Sequence, residues 1–337
     1  MKLPFVTSLI VKLAPEIGAR VHVEPEFGFV GQIIFRNGRQ SFFRNARLDI
    51  NPQGAMELAR DKAYASLFLN RFGYPTPLGQ TFFSDELCRK LASGRDIDEG
   101  YAFAQEIGFP VIVKPNNLAQ GRLVAKVFDR QEYTHAAREI FRAAEVLLVQ
   151  KFYEGKDYRI VVFDGEVVTA YQRHALAISG DGRSTIARLI DKKLKILGER
   201  LSHPNIDAQD FRIGTNLERH GFHLEDILEQ GATLSLLDNA NLSLGGEARE
   251  VRETMHADFK RLAVSITRDM GLRFCGVDII SADITLPLGQ QRDGSVVLEI
   301  NGAPGLDNYA ALGTEQRQIV EDLYLRILQA IEREHYS

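Results

Sequence analysis

The sequence predicts an α+β protein made of closely packed units. Its 337 residues exceed what one small core organises. Short strand-like runs are joined at hairpin signals such as Asn37-Gly38 and Asp164-Gly165. Elsewhere apolar residues recur three and four apart, as in QEYTHAAREIFRAA and HADFKRLAVSITRDMG, which is helical spacing. No internal repeat or low-complexity linker separates these segments.

The elements follow in order. Residues 1 to about 55 read as short strands separated by turns, with FGFVGQIIFRNGRQSFFR as a hairpin. Pro52 to Phe72 reads as one helix, ended by Gly73, Pro75 and Pro77, and LGQTFF resumes an extended pattern. A helix is expected over Ile97 to Ile107, stopped by Gly108 and Pro110. PVIVKP then reads as a strand buried on both faces. LVAKVF, LLVQKFY, YRIVVFDG and EVVTAYQRH read as strands, with a helix after the first. Ile190 to about Gly231 reads as polar and mostly helical, and FCGVDII and SVVLEI as strands. An amphipathic helix closes the chain from about Thr314 to Ile331.

Composition narrows the function classes. With 45% hydrophobic and 26% charged residues the chain is an ordinary globular one. A net charge of -4 gives no basis for a nucleic acid or an anionic membrane as partner. No apolar run reaches membrane-spanning length, and Lys12 interrupts the apolar N-terminal stretch, so no signal peptide is read. Cys88 and Cys275 have no metal-ligand spacing and imply no disulfide, which makes a cytoplasmic location the expectation. Cys275 reads as a small buried hydrophobe.

Three places carry unexplained charge. Lys114 interrupts PVIVKP; a buried ammonium is costly without an anion, although a lysine at a strand end can also snorkel to water. In LLVQKFYEGKDYR, Lys151 and Asp157 flank Glu154-Gly155. They read either as a solvated hairpin or as a hinge that holds a purine and its ribose. Asp278 sits on an apolar strand, and Glu299 and Asn301 lie two apart in VVLEINGAPG and so share a face. A polar edge stripe explains the last pair, and so does a set of hard oxygen ligands. If the two strands are neighbours, Asp278, Glu299 and Asn301 converge as a Mg²⁺ site.

The segments ARDKAY, FPVIVKP, LLVQKFYEGKDYR, CGVDII and LEINGAPG, in that order, resemble the ATP-grasp superfamily. YQRHALAISGDGRSTIARLID and NANLSLGGEA are similar to the ligase core shared by cyanophycin synthetases and bifunctional glutathione synthetases. The likeness spans about residues 55 to 310. It implies an α+β ATP-grasp fold, the nucleotide held between two mainly antiparallel sheet subdomains. The expected units are a short N-terminal substrate-side unit (1–55), a lid (56–150) and a C-terminal unit with the metal site (151–337).

By the same resemblance Lys62 and Lys114 contact the nucleotide's phosphates, and residues 116–122, with Gly121, form a flap over them. Gln150 and Lys151 hold the adenine, Asp157 the ribose hydroxyls, and Asp278, Glu299 and Asn301 the metal. Arg159 and Arg173 lie near the transferred phosphoryl group. The Gly180-Asp181-Gly182 turn with Ser184-Thr185 shapes the substrate side or only caps a helix. His174 is expected to be structural. The implied activity is an ATP-dependent carboxylate–amine ligase that forms an amide on an amino acid or short peptide through an acyl phosphate. The implied cofactors are ATP and Mg²⁺, or Mn²⁺ in its place, and a homodimer is compatible with the resemblance. A glutamate-type ligase modifying a protein or cofactor tail and a non-catalytic ATP-binding protein on the same fold are the alternatives. Three departures stand out: Gln150 replaces a more usual Glu, the flap has a single glycine, and the N-terminal unit is about half the usual length.

Overall fold

The computed structural model describes residues 3–200, 206–291 and 294–334. The N-terminal unit starts with a helix, α1 (Phe5–Leu13), not with a strand. Its buried Val6, Leu9, Ile10 and Leu13 are spaced three, four and seven apart, and that periodicity overrides the β-branched residues in the stretch. Strands β1 (Arg20–Val23), β2 (Val30–Ile34), β3 (Gln40–Arg44) and β4 (Arg47–Leu48) follow as an antiparallel meander. The expected hairpin at Asn37-Gly38 is present, with Gly38 at φ +83°. Ile33, Phe35 and Phe43 pack with Leu323, Tyr324 and Ile327 of the C-terminal helix in one core.

The stretch expected as one helix is two, α2 (Gln53–Arg60) and α3 (Lys62–Arg71). Asp61 breaks it at φ -92°, ψ 106°, its Oδ1 accepting from Tyr64 N at 2.9 Å. A short carboxylate satisfies a free N–H at a helix start better than it sits in a helix interior. The break places Lys62 in the first turn of α3. Ala59, Ala65 and Leu69 pack with the C-terminal sheet, so both helices lean on that unit.

The lid comprises β5 (Gly79–Phe83), α4 (Asp85–Leu91), α5 (Ile97–Ile107), β6 (Val111–Pro115), β7 (Ala125–Val127), α6 (Arg130–Ala143) and β8 (Val146–Lys151). Its sheet is antiparallel, in the order β5-β8-β6-β7. Val111, Val113, Leu147 and Val149 face Ala137 and Ile140 of α6.

The C-terminal unit begins with β9 (Lys156–Phe163) and β10 (Glu166–His174), joined at Asp164-Gly165 with both residues at positive φ, as the hairpin signal requires. An insertion follows: β11 (Ala177–Ser179), α7 (Ile186–Arg200), α8 (Phe211–Arg219) and β12 (Thr233–Ser235). It has its own core, including Leu176, Ile190, Ile213, Leu217 and Leu234. The helical character expected for Ile190 to Gly231 holds for α7 and α8; residues 201–205 lie outside the described part. The chain ends with β13 (Glu247–Glu250), α9 (Ala257–Asp269), β14 (Phe274–Ser281), β15 (Ser295–Asn301), α10 (Asp307–Ala310) and α11 (Thr314–Arg333).

Five of these strands form an antiparallel sheet in the order β13-β10-β9-β14-β15. The period of two sorts its side chains. Tyr158, Ile160 and Val162, with Cys275, Val277 and Ile279, face α9. Asp157, Arg159 and Asp278 take the other face, on which Val161, Phe163 and Phe274 meet the N-terminal unit's core. Among the described residues no helix is long and apolar enough to cross a membrane.

Candidate active site

The second face of the central sheet carries a row of ionisable groups. In register, Tyr171 lies opposite Arg159, Arg159 opposite Asp278, and Asp278 opposite Glu299. One strand detail makes this row. The β14–β15 register shifts by one residue between Asp278 and Ile279. That bulge lets Val297 and Ile300 both reach the apolar core while Glu299 and Asn301 face the cleft. The two residues share a face, as expected, and Asn301 Nδ2 lies 3.4 Å from Glu299 Oε1.

The groups are tightly paired. Arg159 grips Asp278 with both Nε and Nη2, at 2.6 Å each. Arg173 bridges Asp278 at 3.0 Å and Asp157 at 2.6 Å. Gly276, on β14 beside this pair, leaves room that a side chain would take from Arg159 and Pro304. Asp278 is 1% exposed, and two guanidiniums are what make a carboxylate tolerable there. Burial pushes the Asp157 carboxyl up to about 6, against the pull of Arg173. Burial also opposes ionisation of Glu299, but Lys62, Lys114 and Arg159 hold its carboxyl down at about 2.

Lys62 and Lys114 meet here from opposite directions. Lys62 Nζ lies 3.8 Å from Glu299 and donates to the Leu118 carbonyl at 2.7 Å, joining α3 to the flap. Lys114, from the lid, is 6% exposed and has no ion pair among the described residues. Its burial lowers the ammonium's pKa to about 8. The snorkelling alternative is thereby set aside.

Between the sheets lies a cleft of about 400 Å³ whose lining includes Lys114, Gln150, Lys151, Asp157 and Arg173. Five predicted residues thus share one cavity, and Lys62, Arg159, Asp278, Glu299 and Asn301 gather beside it. Gln150 is buried on β8, whereas Lys151 is exposed at the strand's end. Gly121 is different: at φ +68°, a side chain there would strike Asn239 and Asn241, so its close approach is to the protein's own loop. The Asp181 side chain closes its own turn, and Thr185 Oγ1, 3.4 Å from Arg188 N, caps α7. Asp181 Oδ1 accepts from Ser184 N at 2.7 Å and Arg183 N at 3.0 Å, in full solvent exposure. Cys275 is buried, which pushes its thiol up to about 12.

Sequence reasoning missed Lys126 and Phe152, which also line the cleft, with Lys126 Nζ 3.7 Å from the centre of the Phe152 ring. The structure supplies the reason: Ile112 and Lys126 pair across β6 and β7, and Ile112 and Lys114 share a face of β6, a pairing the short β7 does not announce in sequence. His174, expected to be structural, is an exposed residue on the cleft wall. The donor set of Asp278, Glu299 and Asn301 consists of hard oxygens without His or thiolate, and its residues share two neighbouring strands. That chemistry fits Mg²⁺.

Two antiparallel sheets facing each other across a charged cleft are the architecture of an ATP-grasp protein. The RimK-like ATP-grasp domain matches residues 88–199 and 238–323, more than half of the chain. The chain belongs to that family. Cyanophycin synthetase of Geminocystis herdmanii is 30% identical over 263 residues, 76% of this chain and 28% of that protein. The glutathione biosynthesis bifunctional protein GshAB of Streptococcus mutans is 28% identical over 283 residues, 81% of this chain and 36% of that one. Among solved structures, a bifunctional glutathione synthetase from Pasteurella multocida matches with a TM-score of 0.58 at 20% identity, covering 96% of this chain and 44% of that chain. The last likeness concerns the fold. The chain spans little more than a third, or less, of the length of these curated relatives.

Proposed function

We propose that this chain is an ATP-dependent carboxylate–amine ligase acting on an amino acid or short peptide. The observation that carries the proposal is the convergence of Lys62, Lys114, Arg159 and Arg173 on Asp278 and Glu299 at the cleft. Four cations around carboxylates suit a polyphosphate whose charge shifts during transfer. In the reaction a substrate carboxylate oxygen attacks the γ-phosphorus and ADP leaves, giving an acyl phosphate. An amine nitrogen then attacks the acyl carbon, phosphate departs with the bonding electrons, and the amine proton passes to solvent.

The chain's residues bind and orient rather than form bonds. Lys114 and Lys62 hold phosphate oxygens, and Arg159 and Arg173 neutralise charge on the transferred group. Gln150 faces the base, Lys151 lies at its rim, and Asp157 accepts from ribose hydroxyls. Asp278, Glu299 and Asn301 would hold Mg²⁺, or Mn²⁺, which supplies charge neutralisation to the phosphates when bound. The flap keeps water from the acyl phosphate.

The test is ADP and phosphate release with Mg-ATP across amino acids, amino-acid pairs and short peptides, with mass spectrometry of the products. ADP with a product one condensation heavier supports the ligase and names both substrates. AMP in place of ADP rejects the acyl-phosphate route. ATP binding without turnover on the whole panel moves the reading to a protein substrate or a non-catalytic role.

A further inference from the structure

Two non-glycine residues here lie in the left-handed region, Gln120 in the flap at φ +62° and Leu123 just beyond it at φ +57°. Such residues persist where their surroundings over-determine the backbone. Here much of that restraint comes from outside the lid. Arg212, in the first turn of α8, donates from Nη1 to the Gly121 carbonyl at 2.9 Å and to the Val124 carbonyl at 3.3 Å. Its Nε and Nη2 are fixed by Asp210 at 2.9 and 2.6 Å, so the donor aimed at the flap is pre-oriented. Ser243 Oγ donates to the Gln120 carbonyl at 2.9 Å, and Asn239 Nδ2 to the Gly121 carbonyl at 3.3 Å.

Two turns further along α8, Arg219 repeats the pattern on the lid itself. It reaches the Lys126 carbonyl at 3.3 Å and Glu132 at 3.1 Å, lies over the Phe128 ring at 4.1 Å, and is anchored by Asp238 at 2.9 Å. The apolar side of the same helix, Ile213 and Leu217, is embedded in the insertion's core. α8 is therefore fastened to the insertion on one side and to flap and lid on the other. It also lies wholly within the stretch between residues 199 and 238 that the family match passes over.

We infer that α8 is a brace for the flap, with Arg212 and Arg219 as positioning residues that hold the end of the flap and its run into β7, residues 121–126, beside the cleft. Neither arginine touches the reacting groups; each acts through the backbone of the flap or of β7. The insertion thereby sets how long the cleft stays closed on its ligand, and this last step rests on the nucleotide reading above.

Hydrogen exchange of the full chain without nucleotide tests the brace independently of that reading. Arg212→Ala should speed exchange of the flap amides roughly tenfold, the factor one hydrogen bond from a charged donor supplies. Amides of β9 and β14 should stay as protected as in the wild type. Arg212→Lys should recover part of the loss, and Ser243→Ala, which removes one flap bond and leaves the Arg212–Asp210 pair, should give a smaller increase. With Mg-ATP, Arg212→Ala and Arg219→Ala should raise KM for ATP more than they lower kcat. Flap exchange unchanged in Arg212→Ala overturns the brace. If that variant unfolds globally, unchanged exchange of the flap and β7 amides in Arg219→Ala overturns it instead. A wild type that turns over no ATP defeats the ligase reading and leaves the exchange result to decide the brace.

Discussion

The central sheet and the lid sheet both bury cations, and they treat them in opposite ways. In the central sheet Arg159 and Arg173 are held by Asp278 and Asp157 through short, partly bidentate contacts, so charge cancels within the protein. In the lid Lys114 is buried with no ion pair among the described residues, and Glu299 and Asp278 offset its burial only from a distance. The first arrangement balances its charges before any ligand arrives. The second costs stability until an anion enters the cleft. The proposed nucleotide site would use both: a rigid platform and an unsatisfied charge.

Asp278→Ala should break the first arrangement most severely. It strands two buried guanidiniums, for a loss of about 3–5 kcal/mol. Chemical denaturation should show the loss, and ADP release should vanish with it. Glu299→Gln removes a carboxylate that Lys62, Lys114 and Arg159 hold ionised, so the unfolding midpoint should fall, by less than in Asp278→Ala. Turnover should fall on the order of 10²–10³-fold, more than the stability loss accounts for; normal ADP formation would sink its assignment to the metal.

Lys114→Met should act with the opposite sign on the two readouts. KM for ATP should rise about tenfold or more, while folding stability increases by about 1 kcal/mol because a desolvated ammonium is gone. A loss of stability in that variant would erase the contrast between the sheets. The contrast also has a pH signature. Lys114 has its pKa depressed from 10.5 to about 8, so between those values the unfolded chain binds the proton the folded chain has released. Its contribution to stability therefore rises with pH across that window. Affinity for ATP, which needs the ammonium, should fall over the same window, and Lys114→Arg should flatten that fall. Smallest of all, Asp181→Ala should leave kcat and KM unchanged, since its carboxylate serves only its own exposed turn.

Much of this site was legible along the chain because strands write their faces in alternate residues. Lys114, Asp278 and the Glu299–Asn301 pair each stood out as polar groups in apolar runs, and each lies in or beside the cleft. Lys126 was passed over because β7 is only three residues long and shows no pattern of its own. The first stretch forms a helix rather than the expected strands because Val6, Leu9, Ile10 and Leu13 carry a helical period that outweighs the strand propensity of its β-branched residues. The break at Asp61 was hidden inside a periodic stretch that continues across it.

By itself the sequence determined the α+β class, most of the elements and which charged residues interrupt apolar strands, since period, turn chemistry and the cost of buried charge are local properties. Tertiary structure alone decided which charges pair. The bulge in β15, the register that sets Arg159 against Asp278, and the reach of α8 to the flap each join residues far apart in the chain. Such contacts depend on how sheets and loops close in space, and spacing along a single segment does not encode that closure.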